Sequence, residues 1–591
     1  MKNNRNDKLL WHPYAEVSCA VIHHDPYNSD YINVEVPDRL SHIALPAKNL
    51  TNASVFSDHA IDDARGLIFV TSGKGDYAGA AHVPPIQALT SDGEYLWSCD
   101  EWKEADRPSA FALAYLPLVD ADGTVYFGDD SCLYAAEGKS GRLLYKKPFF
   151  KTQKEREEKG SFPMLSCYFL PPGLIAGVTS NGRLMVFDRA TGDLLGDYLS
   201  ADKILVQEIG DDAAGRKKKR VNVQTSASHD SDDFVTALLS ENMWKIKSDE
   251  TNKVIDYMIK NEMRESFVDA LFGLSIPVTN APAVLKISDN LSRVYFAALT
   301  QEGRQEKTKS NNEPDAKLFC LEVLYDAKHN NVSITEVESF QGLLPDAKGC
   351  ATTPAISPDG TTIYVVDKTQ RLYAFSTDSG APLWGGPVTL PGDVNGSVAV
   401  SWEPEYRGAL YIAATEGLVI VDPATGASKT VCYHENRKIW EPDDYPGLGD
   451  KLRKVAMPDG VVCLHRGKIL LPFVLGYKIP APNPLAMWPL RSVLAVLDYD
   501  GNVLDVRELP DVSELGAIAD RMGNVYVGHL SAASSATYSM WQDIQHKIPD
   551  TWPDTAKEIF TALKQIRPIK PVGGISIFKG TGQNTQSDFT V

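Results

Sequence analysis

One phrase recurs along this chain and narrows what it can fold into. The clearest copy is Asp359-Gly-Thr-Thr-Ile-Tyr-Val-Val366, followed by Leu372-Tyr-Ala-Phe-Ser-Thr-Asp-Ser-Gly-Ala-Pro-Leu-Trp384. An Asp-Gly turn opens an apolar, β-branched strand. A polar loop leads to a second strand, and a Thr-Asp-Ser-Gly turn leads to a third that ends in Trp384. Short strands separated by Gly and Asp turns mark antiparallel all-β structure.

Strong copies start at Gly66, Gly123, Gly173, Gly408 and Gly467, each followed by a second apolar run. Weaker ones pair Arg293-Val-Tyr-Phe with Leu318-Phe-Cys-Leu, and Gly523-Asn-Val-Tyr-Val with Gly574-Ile-Ser-Ile-Phe578. Such units cannot bury their own faces singly, whereas radial packing buries them together. The expectation is an all-β, closed eight-bladed β-propeller, or alternatively a seven-bladed one, formed as a single domain over residues 1–591 with helical insertions. The unpaired Leu9-Leu10-Trp11 is expected to supply the missing strand of the last blade and so remove an open edge.

The copies resemble the tryptophan-docking repeat of the PQQ-like (quinoprotein alcohol dehydrogenase-like) propeller family. Ala374, Gly380 and Trp384 carry that resemblance, with Ser376 where the family has Asp. Asp188 and Gly192 carry it in another copy, as do Ala135 and Gly141 with Tyr145 in place of the tryptophan. The resemblance implies that Trp97, Trp384 and Trp11 are docking wedges between blades. It also implies PQQ with calcium in the central channel, stacked on an adjacent cysteine pair. This chain has no Cys-Cys, and a Glu, Asn and Asp calcium set cannot be placed in it. No cofactor is therefore expected, PQQ with calcium being the alternative, and no metal ligands are assigned.

Composition excludes some partners. The 591 residues carry a formal net charge of −18, which repels phosphate backbones and anionic membranes. Nucleic acid is not expected as a partner. No apolar run reaches the length of a membrane span or a signal peptide. The eight cysteines are scattered, without CxxC, and read as reduced core residues, so a cytoplasmic location is expected.

Two insertions interrupt the repeat. Residues 199–275 hold a charged loop with Arg216-Lys-Lys-Lys-Arg220, read as solvated, and then a helical pattern through Ile255, Met258, Ile259, Met263 and Phe267. Residues 540–570, within the last blade, show a second helical face through Ile559, Phe560, Leu563 and Ile566.

Signatures of chemistry are few. His23-His24-Asp25 reads as a surface turn before Pro26, because neighbours on a strand face opposite ways. His59, His434 and His529 read as rim or packing residues. Propeller topology brings the start of each innermost strand to the channel, which nominates His59, Tyr115, Tyr168, Asn280, Thr353 and Asn395 as a convergent ligand-binding ring. The function expected is a binding module for a protein or small molecule at the channel mouth. The alternatives are a cofactor-independent hydrolase, lyase or cyclase, and a divergent PQQ-dependent dehydrogenase; no catalytic residue is assigned.

Overall fold

The computed structural model describes residues 23–43 and, with short breaks, 53–199, 281–299, 316–345, 352–440, 452–478 and 487–580. Strand pairing sorts these residues into eight antiparallel sheets of four or five strands. Each repeat of the sequence forms one sheet, or blade. In blade 5 the order from the axis outward is Ala355–Ile356, Thr362–Val366, Arg371–Ser376 and Val388–Thr389. Blade 7 is the tallest: its Lys468–Lys478 and Met487–Leu497 strands pair over their whole length. Innermost strands start on one face of the molecule, here the upper face. They turn back into the second strand on the lower face.

The expectation of a closed propeller needs correction. No sheet closes on itself; each is open, and its pairing stops at an innermost and an outermost strand. The physical reason is that each twisted sheet pairs its strands with one another and meets its neighbours mainly through side chains, with single backbone bonds such as Met164 N to Asp129 O and Gln341 N to Ser379 O. The seven-bladed alternative falls with the eight sheets. Helix is sparse: the described α-helices are Gln153–Lys159, Ser531–His546 and Asp554–Leu563. The 199–275 insertion lies outside the described residues. No helix among the described residues is long and apolar enough to cross a membrane.

The outermost strand of blade 8 comes from the N-terminal region. Ser41–Ile43 pairs antiparallel with Ile575–Lys579, Ser41 opposite Lys579 and Ile43 opposite Ile577. The sequence nominated Leu9-Leu10-Trp11 for this place; those residues lie outside the described ones.

Blades meet through aromatic rings seated on turn glycines. The Trp97 indole of blade 1 donates to Gly138 O of blade 2 at 2.6 Å, and a Cβ on Gly141 would lie 2.5 Å from the ring. Trp384 of blade 5 repeats this on blade 6, donating to Pro423 O at 3.1 Å against Gly426. Tyr145 does so on blade 3, its hydroxyl donating to Arg189 O at 3.0 Å beside Gly192. Gly141 has φ +69° and no side chain, so it both makes the turn and leaves room for the indole. Asp-Gly hairpins on the lower face repeat a second device. Asp120 and Asp520 each accept from the backbone two and four residues on, and from the hydroxyl of Tyr126 or Tyr526.

Candidate functional site

The lower end of the axis is filled by the chain itself. Residues 26–34 run across it and bond to the innermost strands of four successive blades. Val284 N donates to Pro26 O, Ile356 N to Tyr27 O, Val400 N to Ser29 O and Leu464 N to Asp30 O, all at 2.7–2.8 Å. Arg466 N then reaches Val34 O. An innermost strand leaves its axial edge unpaired, and these carbonyls fill that need. Ile32, Val34 and Val36 are buried while Asn33 and Glu35 are exposed, the alternation of an extended strand. That apolar face joins a core cluster shared by blades 7, 8 and 1. From here the chain runs outward under blade 7, where Lys468 Nζ donates to Val36 O, and on to Ser41–Ile43.

Asn28 sits at the centre and is fully buried. Its Nδ2 donates to Pro282 O at 3.0 Å and to Pro354 O at 2.8 Å; its Oδ1 accepts from the Tyr168 hydroxyl at 2.8 Å. One side chain thereby ties blades 3, 4 and 5. Asn28 and Asp30 have φ +54° and +52°, and His23 and His24 are also left-handed, so this turn is compact. Asn and Asp tolerate that region better than most residues.

Ionisable groups crowd the same place. His23 Nδ1 lies 2.8 Å from Asp30 Oδ1, and Ser397 of blade 6 donates to the other Asp30 oxygen. Asp25 accepts from the Ser29 hydroxyl and from Tyr27 N. Burial raises the Asp25 carboxyl to about 6, against the Ser29 and Tyr27 bonds. His465, on the innermost strand of blade 7, is pushed down to about 3 by burial. Burial, then the charges of His465 and His23, hold His24 well below the usual histidine range. The surface turn expected at His23-His24-Asp25 is thus a buried axial turn.

The upper face carries a different polar group between blades 6 and 7. His434 Nδ1 accepts from Ala456 N at 3.0 Å, on an innermost strand. A neutral ring must then carry its proton on Nε2, which faces Glu416 Oε2 at 3.3 Å. Arg453 donates to the same Glu416 oxygen. Burial works to raise the Glu416 carboxyl, but Arg453 and then His434 outweigh it and hold it below its ordinary value. Burial lowers His434. Carboxylate, guanidinium and neutral imidazole therefore stand together at neutral pH. Gln370 Nε2 continues the polar arc toward blade 5 by donating to Asp393 Oδ1 at 2.9 Å. Beside the arc, the two helices that link the second and third strands of blade 8 rest on blade 7. Ile544, Phe560 and Leu563 pack with Leu452, Tyr477 and Trp488, and the Trp488 indole donates to Ile566 O at 2.9 Å.

Of the ring nominated from sequence, Tyr168 lies on the axis through Asn28. Thr353 is buried beside Pro354, whose carbonyl Asn28 reaches. Asn395 lies on the innermost strand Val394–Val400. His59, Tyr115 and Asn280 lie outside the described residues. His529 is buried in blade 8, its Nε2 2.8 Å from Ser576 Oγ. The axial segment itself escaped sequence reasoning, although the alternation Ile32-Asn-Val-Glu-Val36 was a readable strand signal.

No family model matches this chain, and no curated protein matches it. Among solved structures, a europium-containing methanol dehydrogenase superposes with a TM-score of 0.50 at 11% identity, over 98% of this chain and 100% of that one. A quinohemoprotein alcohol dehydrogenase from Pseudomonas putida HK5 gives 0.47 at 10% identity, over 97% and 81%. BamB from Moraxella catarrhalis gives 0.39 at 10%, over 83% and 98%. The chain has a β-propeller fold that resembles the PQQ-dependent quinoprotein dehydrogenases at low identity.

That fold family implies a quinone held with a metal, and the described residues do not fit one. No three of their His, Cys, Asp and Glu side chains are grouped to hold a metal ion. The described cysteines are free, Cys167 and Cys320 being buried in different blades. On the axis, Asp30 is engaged by His23 and Ser397, and Asn28 by three protein partners.

Proposed function

We propose that this protein is a quinoprotein-type propeller that binds a small polar ligand at the upper end of its axis. One observation carries the reading: among the described residues, 26–34 fill the lower end, which leaves the upper face as the side of approach. The polar arc from Gln370 to Arg453 supports it, since it offers donors and acceptors in defined protonation states beside innermost strands. Tyr168 and Thr353 belong to the floor of that site, and the innermost strand Val394–Val400 to its wall. Blade-to-blade wedging by Trp97 and Trp384 serves to hold the wall in place. The free cysteines are consistent with a cytoplasmic setting, which belongs to the same proposal.

The second reading is a divergent PQQ-dependent dehydrogenase. A fold likeness spanning the whole of a methanol dehydrogenase favours it over a non-catalytic protein-interaction module. The described residues supply no metal set for it, and no reaction step is assigned.

Native mass spectrometry of the purified protein, with thermal shift against PQQ plus calcium or europium, separates these readings. A released small molecule, or a melting rise with a polar ligand, is the expected result. A rise and a quinone absorbance with PQQ and metal would instead establish the second reading. If no small molecule is carried or bound, the axial-site proposal is wrong and a protein-interaction module takes its place.

A further inference from the structure

The axial segment has a feature that a purely structural strap does not need. It sets His23, His24, Asp25 and Asp30 around one buried turn, facing His465 of blade 7. Neighbouring groups are Lys468 and Arg466 of blade 7, Glu403 of blade 6, which accepts from the Tyr31 hydroxyl at 2.8 Å, and Asp359 of blade 5 near Tyr27. His24 and His465 lie close enough to repel when charged. His24 and His465 fit there together only while both are neutral, because two buried like charges cannot be hydrated where they stand.

We propose that residues 23–36 are an acid-released plug: at neutral pH they stop the lower end of the axis, and on protonation of His24 and His465 they leave it while the eight blades stay folded. The blades can stay because each one's strands are paired within its own sheet. Backbone bonds and the side chain of Asn28 hold the plug from outside those sheets. Local opening of a segment below the global unfolding free energy is the ordinary behaviour of such an element. Pro37 to Arg39, partly or fully exposed between the plug and the outermost strand of blade 8, form the hinge.

The sign of the linkage follows from the shifts. His465 is lowered from 6.5 to about 3, so it favours the plugged state above pH 6.5 and loses that effect as pH falls toward 3. His24 acts the same way. Asp25 is raised from 3.8 to about 6, so its contribution is full below 3.8 and is lost as pH rises through 6, opposing the histidines. Between pH 7.5 and 5 both histidines therefore favour release, and Asp25 opposes it.

Hydrogen exchange read by mass spectrometry tests this on the full chain, after correction for the intrinsic pH dependence of exchange. The expected result is that peptides spanning 23–36 lose protection from pH 7.5 to 5, while the strands Lys468–Lys478 and Thr362–Val366 keep theirs. His465→Gln should retain plug protection at pH 5; His24→Gln serves the same purpose if the first variant misfolds. The proposal is overturned if 23–36 stays protected at pH 5, if it opens only together with the blades, or if the folded variant behaves as the wild type does.

Discussion

At the residue scale, Asn28 concentrates more of the architecture than any tryptophan of the repeat. Asn28→Ala would remove the bonds to the Tyr168 hydroxyl and to the Pro282 and Pro354 carbonyls, and would place alanine at φ +54°. A loss of about 3 kcal/mol is expected from the loss of those buried bonds. Tyr168→Phe removes the bond to Asn28 and should cost about 1 kcal/mol. Urea unfolding measures both, and equal losses would contradict a central role for Asn28. Nothing local in the sequence announces this residue. Its partners lie 140, 254 and 326 positions away, so only the assembled blades reveal why an amide is needed there. The same holds for His23-His24-Asp25, whose polarity suggests a surface turn until Ser397 and His465 are in place. The turn glycines were legible because φ > 0 is a local demand that the sequence must meet locally.

At the scale of elements, the repeat could be read because an Asp-Gly hairpin and an alternating strand identify themselves within about a dozen residues. Elements defined by a distant partner could not. Ser41-His-Ile43 has no pattern of its own and is a strand only because Ile575–Lys579 stands opposite. The Asp554–Leu563 helix of blade 8 shows the converse: its apolar face was visible, but not what it covers. Asp511 anchors its return. Its Oδ2 accepts from Val572 N at 2.8 Å and Gly573 N at 2.9 Å, and burial raises its carboxyl above the ordinary range. Asp511→Ala should destabilise by about 2–3 kcal/mol by leaving those amides unpaired, whereas Asp511→Asn keeps an acceptor and should lose less. Denaturant midpoints check this at pH 7. A raised carboxyl contributes most below 3.8 and less as pH rises, so the gap between wild type and Asp511→Ala should widen toward acid.

At the scale of the whole molecule, the eight sheets are open units held around an axis mainly by side chains, and residues 23–43 cross from one blade to the next. They bond blades 4 to 7 in turn and complete blade 8. Deleting residues 1–43 should therefore lower the melting temperature by about 10 °C or more, far beyond the loss of one edge strand. Differential scanning calorimetry reads this, and an unchanged transition would show that the axial segment carries no global stability. Fold class emerged from sequence because periodicity is a property of every blade. The axis did not, because it belongs to no single repeat.

The position of this segment also bears on how the protein is made. Residues 23–43 leave the ribosome ahead of every blade, yet the backbone sites they occupy extend to Leu464, Arg466 and Lys579. A segment made before every blade is thus among the last to find its place. Until translation has passed residue 579, the nascent chain must carry its extended stretch 31–36 without its lasting partners.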